Sequence, residues 1–160
     1  MSKPMTIVVD VDQCGACHLC ETACSLGREG ECNPELSRIR VRRGEMMETV
    51  LVCQQCEVLF CASVCPNQAI RRDEQTGVVM IDERLCNGCR ACIKACPYQA
   101  IAFHPERKKA LICDQCGGKP LCVEWCPREA LHYLELGSAV REKKIKGAER
   151  AFSLLQKIGS

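Results

Sequence analysis

Apolar residues in this chain come in short stretches, alternating or continuous over a few positions, and most of them lead into or out of a cluster of cysteines. Ile7-Val8-Val9-Asp10-Val11-Asp12 predicts a strand running into the first cluster, and Val78-Val79-Met80-Ile81-Asp82 one running into the third. Glu74-Gln75-Thr76-Gly77 predicts a hairpin turn between Ala69-Ile70-Arg71 and Val78-Val79. Pro105-Glu106-Arg107-Lys108 predicts its counterpart between Ile101-Ala102-Phe103 and Ala110-Leu111-Ile112. Three Cys-Pro pairs are followed by near-identical phrases, Asn67-Gln68-Ala69-Ile70, Tyr98-Gln99-Ala100-Ile101 and Arg128-Glu129-Ala130-Leu131. The repeated unit is strand, cysteine run, short helix and hairpin, which marks a duplicated motif.

The pattern changes after Ser138, which is placed to cap a helix. Ile145, Ala148, Phe152, Leu155 and Ile158 recur at three- and four-residue steps, while Lys143, Lys144, Lys146, Arg150 and Lys157 occupy the other face. Such a helix either folds back on its own domain or docks on a partner.

Composition limits what these elements can do alone. Aromatic residues are 4% of the 160, little for packing a core of this size. Groups that tie several chain positions to one centre replace that core, and their binding free energy becomes folding free energy. The apo-protein is therefore expected to be largely unfolded. The formal charge of +2 gives no reason to expect nucleic acid. The N-terminal residues show no leader, and no apolar stretch approaches the roughly 20 residues of a membrane span. The expected compartment is the cytoplasm, where disulfides are disfavoured. No nucleophile–base constellation, phosphate-binding glycine loop, or flavin or nicotinamide fingerprint is visible, so no catalytic residue is expected.

The chemistry lies in the cysteines, 16 of whose 17 members form four runs. Run one is Cys14, Cys17, Cys20 and Cys24; run three is Cys86, Cys89, Cys92 and Cys96, with Pro97 following. Run two (Cys53, Cys56, Cys61, Cys65, then Pro66) and run four (Cys113, Cys116, Cys122, Cys126, then Pro127) have a longer middle gap. Small or permissive residues lie between them, as in Gly15-Ala16, Asn87-Gly88 and Gly117-Gly118, as a chain wrapping a compact group requires. Cys32 is left over, read as a small buried or inert thiol. His18 is placed either to tune a centre or simply at the surface, Trp125 and Tyr98 to shield one from water, and His104 and His132 show no partners. Paired C-x2-C motifs also make zinc sites, but the third cysteine and the proline, repeated, argue for iron.

Run three resembles the C-x2-C-x2-C-x3-C-P motif with which bacterial ferredoxins hold a cubane iron–sulfur cluster. The order of all four runs, over about Thr6 to Leu134, is similar to the four-cluster electron-transfer subunits of molybdenum and tungsten pterin oxidoreductases, of the dimethyl sulfoxide reductase, polysulfide reductase and formate dehydrogenase types. Ser25 departs from the pattern, standing where the other runs have proline. The compact spacing without a membrane anchor resembles the small iron–sulfur subunits of tungsten enzymes of the aldehyde oxidoreductase family, including those related to benzoyl-coenzyme A reductases.

The resemblance implies an α+β fold of two interlocked ferredoxin-like modules, each binding two [4Fe–4S] clusters, plus a C-terminal helix. One module is discontinuous, 1–45 with 105–136; the other is inserted at 46–104; the helix is 137–160. In two-cluster ferredoxins the last cysteine of each run ligates the other cluster. Applied here, that rule implies the sets Cys14, Cys17, Cys20 with Cys126; Cys113, Cys116, Cys122 with Cys24; Cys53, Cys56, Cys61 with Cys96; and Cys86, Cys89, Cys92 with Cys65. The implied role is non-catalytic relay between a molybdenum/tungsten pterin catalytic subunit and an outside partner such as a flavin/NAD subunit or a ferredoxin. A free-standing soluble polyferredoxin, a zinc-stabilised interaction module, and a subunit stacked into longer wires are the other readings.

Overall fold

The computed structural model describes residues 5–43, 48–137 and 140. The helix expected over 137–160 thus lies almost wholly outside the described residues. Four two-stranded antiparallel sheets carry the fold. Strand β1 (Met5–Val9) pairs with β8 (Leu131–Glu135), in register from Met5 opposite Glu135 to Val9 opposite Leu131. Between them lie three hairpins: β2 (Ile39–Arg43) with β3 (Glu48–Val52), β4 (Ile70–Arg72) with β5 (Val79–Ile81), and β6 (Ala102–His104) with β7 (Lys109–Leu111). The two later hairpins turn where the sequence predicts. At the first of these turns Asp73 Oδ1 accepts from the Gln75 N–H (3.1 Å), Thr76 N–H (2.7 Å) and Thr76 hydroxyl (2.8 Å). The β2–β3 hairpin is not among the predicted elements, although Ile39-Arg40-Val41-Arg42 carries the alternation of a half-buried strand.

Each run feeds a helix: α1 (Leu19–Glu29), α2 (Phe60–Ser63), α3 (Ala91–Ala95) and α4 (Leu121–Glu124). Three are about one turn long because proline follows the last cysteine of their runs, and proline disfavours helical backbone before it. Run one has Ser25 there instead, so α1 continues to 11 residues and stops only at left-handed Gly30 (φ 78°). Ser25 is fully buried, and its Oγ donates to the Thr22 carbonyl and accepts from the Asn33 N–H, both at 3.1 Å. Helix α4 crosses α1 closely, and a Cβ on Gly27 would stand 2.5 Å from Leu121 Cδ1.

Two apolar clusters form. One gathers Ile7, Ile39, Val41, Val50, Val52 and Leu131 with cysteines of runs one and four; the other gathers Ile70, Val79, Ile101, Ala110 and Ile112 with cysteines of runs two and three. Cys53 packs against both. The apolar seam therefore falls at Cys53 and between Ile112 and Cys113. A buried ion network also crosses from one side to the other. Glu29, at the end of α1, accepts from Arg38 and Arg107, each at 2.9 Å, and lies 4.0 Å from His104 Nε2.

Candidate metal centres

The backbone of all four runs shares one feature. The residue before the second cysteine is left-handed each time: Ala16 (φ 45°), Gln55 (53°), Gly88 (75°) and Gln115 (59°). Three of these are not glycine, and a left-handed L-residue costs about 1–2 kcal/mol. Strain repeated at corresponding positions points to a turn the chain is built to make. A second left-handed position lies three residues past the last cysteine of each Cys-Pro run, at Gln68 (51°), Gln99 (49°) and Glu129 (51°). It sends the next N–H back to the sulfur. Ala69 donates to Cys65 Sγ at 3.3 Å, Ala100 to Cys96 Sγ at 3.5 Å, and Ala130 to Cys126 Sγ at 3.3 Å. Cys24 sits inside the longer helix, and its sulfur accepts instead from the Arg38 N–H at 3.3 Å.

These turns gather the thiols. One recess, almost entirely apolar in its walls, is lined by Cys53, Cys56 and Cys61 of run two together with Cys96 of run three. Another is lined by Cys14, Cys17 and Cys20 of run one together with Cys126 of run four. Among the described residues no three His, Cys, Asp or Glu side chains are gathered tightly enough for a single metal ion; the thiols of each recess stand around a space.

Burial and mutual proximity push these thiols up. Cys20 is raised to about 12, chiefly by burial and then by Glu21 and Cys14. Cys122 is raised to about 12 by burial, with Cys24 the foremost neighbour, and burial followed by Cys24 also raises Cys116. Cys92 reaches about 11 through burial and then Cys86. Cys113 is held well above its ordinary value, by burial first and Cys53 next; Cys61 is raised by burial and then by Cys96. Four thiolates cannot share such a space without a cation. Iron supplies that charge, and the donor set, the N–H···S bonds and the apolar walls fit a cubane cluster. The remaining pair is less direct: Cys65 packs in the same apolar cluster as Cys86 and Cys92.

Two functional residues are invisible from sequence. Gln55 and Gln115 occupy the same position in the two stretched runs and are both buried. Gln115 Nε2 donates to the Met5 carbonyl at 2.7 Å, and its Oε1 accepts from the Tyr133 hydroxyl at 3.2 Å, tying run four to β1 and β8. Gln55 Oε1 accepts from the Val79 N–H at 2.7 Å, and its Nε2 donates to the Cys113 carbonyl at 3.2 Å. Cations hold the loops as well: Arg72 donates to the Cys56 carbonyl, Lys109 to the Cys86 carbonyl, and Arg28 pairs with Asp114.

The other candidates resolve individually. His18 lines the recess of Cys14, Cys17, Cys20 and Cys126 and bonds Glu21 through Nδ1 at 2.6 Å; Glu21 also accepts from the Val41 N–H at 2.8 Å. Tyr98 lines the recess of Cys53, Cys56, Cys61 and Cys96, but Trp125 is 41% exposed and is not buried over a thiol set. His104 does have partners, since its Nδ1 accepts from the Arg107 N–H at 3.2 Å and its Nε2 faces Glu29. Cys32 is exposed rather than buried.

Repeated cysteine turns, N–H···S bonds and thiol-lined recesses define a ferredoxin-like iron–sulfur protein of the electron-transfer class. Comparison with known proteins agrees: a 4Fe–4S dicluster domain matches residues 45–136. The chain belongs to that 4Fe–4S dicluster family. It is 43% identical over 129 residues to the polyferredoxin-like subunit of aliphatic sulfonate oxidoreductase from Pyrococcus furiosus, covering 79% of this chain and 73% of that one. It is 36% identical over 149 residues to putative electron transport protein YsaA of Escherichia coli, covering 86% and 94%. Among solved structures it is similar to a chain of the active site complex BamBC of benzoyl coenzyme A reductase with 1,5-dienoyl-CoA, at 27% identity and a TM-score of 0.50, covering 96% and 92%. Among the described residues no helix is long and apolar enough to cross a membrane.

Proposed function

We propose that the chain holds four [4Fe–4S] clusters in the four crossed sets and relays electrons between a molybdenum or tungsten pterin catalytic subunit and an external redox partner. The observation that carries this reading is the make-up of the two recesses, each with three thiols of one run and the last thiol of another. Bound there, each cluster supplies reversible one-electron storage, at a potential within a range of roughly −700 to +450 mV for such centres. The chain's residues do the rest. They exclude water, fix the sulfurs, and donate N–H bonds that spread the thiolate charge.

Apolar packing supports contact between the sets: thiols of the Cys14 and Cys113 sets share one cluster, thiols of the Cys53 and Cys86 sets share the other, and Cys53 packs against both. Cys17 and Cys89 are exposed, which supports electron exchange at the Cys14 and Cys86 sets.

A lasting catalytic partner is supported by the oxidoreductase subunit to which the chain is similar and by exposed apolar side chains around α2. Val58 is 65% exposed and Phe60 51%, beside Cys56 and Cys61. The tungsten assignment within the aldehyde oxidoreductase family rests on the compact spacing and is supported by the likeness to the benzoyl coenzyme A reductase complex. A free polyferredoxin is the second reading, favoured by the electron transport protein of which this chain covers 94%.

Elemental analysis of protein isolated anaerobically from its host tests both. About 16 irons per chain, with matching labile sulfide and tungsten or molybdenum in a co-purifying chain, is the expected result. The same iron without partner or second metal establishes the free carrier, and zinc in place of iron overturns both.

A further inference from the structure

A groove of about 770 Å³ runs between the two apolar clusters, along β2 and the turn before it on one side and α3, the Cys96-Pro97 corner and β6 on the other. Arg40 and Arg42 line it from β2, two residues apart and so on one face of the strand; Lys94 lines it from α3. Arg90 lies 3.9 Å from the centre of the Phe103 ring, itself part of the wall, and adds a fourth cation. Glu35 is the one carboxylate in the lining. None of Arg40, Arg42 and Lys94 is ion-paired with a described carboxylate. Arg40 donates to the Glu35 carbonyl at 2.9 Å; its value is lowered chiefly by burial and then by Arg42, against Glu21 and Glu35, which raise it. Cys96 lies in the same wall.

Converging cations with little internal compensation recruit negative charge. The chain's own tail cannot supply it, because residues 141–160 carry six lysines and arginines against two glutamates. The groove is also unlike the α2 surface. Lasting subunit interfaces are apolar, whereas brief electron-transfer encounters are small, charged and electrostatically steered.

We propose that this groove docks the acidic face of a one-electron carrier protein beside the centre to which Cys96 belongs. The exchange moves one electron from whichever centre is reduced to the one that is oxidised, with no bond or proton changing. This assignment rests on the iron–sulfur reading above.

The test uses cluster-loaded protein and an acidic two-cluster bacterial ferredoxin as probe, with affinity measured by titration calorimetry at about 20 and about 300 mM salt. Wild-type affinity is expected to fall at least about tenfold across that range. R42Q with K94Q, both exposed and outside every thiol set, should weaken low-salt binding about tenfold and flatten the salt dependence. Carbodiimide cross-linking should join Lys94 to a probe carboxylate, located by mass spectrometry. Unchanged affinity and salt slope in the double variant overturn the proposal, as does a loss seen only in K143Q with K144Q, which places docking on the tail. Iron content of each sample separates the outcomes: full iron with no effect sinks the groove alone, and absent iron sinks the iron–sulfur reading.

Discussion

Gln55 and Gln115 are buried amides, and each is bonded through both ends of its side chain. Replacing Gln115 with leucine removes its bonds to the partly buried Met5 carbonyl and Tyr133 hydroxyl, at about 0.5–1.5 kcal/mol for each bond. Gln115→Leu should lower the temperature at which the visible cluster absorption bleaches, with less effect on initial iron content. The cysteines give a sharper pair of outcomes. Cys89→Ser should lose about four irons, while Cys32→Ser keeps the full complement, read by iron assay after anaerobic loading. At this scale the cysteine runs were legible because ligand chemistry demands one residue type at fixed spacing. The glutamines were not: Gln54 and Gln55 look alike in sequence, and only the fold decides which of them faces inward.

Elements were legible where turn chemistry is local. Asp73 illustrates this, since three donors within its own turn converge on one oxygen and hold its carboxyl below the usual range, the Thr76 N–H foremost. Hairpin β2–β3 was hidden because no Asn-Gly or Asp-Gly pair separates the two stretches in the sequence and the cross-strand pairing with Val50 and Val52 is what buries Ile39 and Val41. The length of α1 was likewise written in one residue, Ser25, but its consequence needed the structure: the extra turn carries Glu29 to its buried partners. Gly88 is where an element is most constrained. Its φ is +75°, and a Cβ there would stand 2.2 Å from the Lys108 carbonyl oxygen. Gly88→Ala adds about 1–2 kcal/mol of left-handed strain to that clash. It should depress loading of the third run, seen as lower iron stoichiometry and a lower bleaching temperature than wild type.

For the whole molecule, the Glu29 network is the polar counterpart of the shared Cys53 seam. Glu29 is 6% exposed on its side chain and Arg38 8%, so neither charge is solvated if the other is removed. Glu29→Ala leaves Arg38 uncompensated, at a cost of about 3–5 kcal/mol. The expected outcome is an earlier thermal transition, by differential scanning calorimetry, than Cys32→Ser gives. Which histidine joins such a network could not be read from spacing, because it is the meeting of the end of α1 with the end of β6, distant in sequence, that brings Glu29 and His104 together.

The pairing of β1 with β8 also fixes a timetable for biosynthesis. On the ribosome the chain's first strand emerges more than a hundred residues before the strand that receives it, Met5 lying opposite Glu135. The thiols of run one likewise wait for Cys126, and Cys24 for run four, across most of the chain. Runs two and three become available to each other far sooner. With the proposed sets, the inner pair of runs is complete before the outer pair during synthesis, and a chain interrupted before run four would leave the outer thiols without their partners.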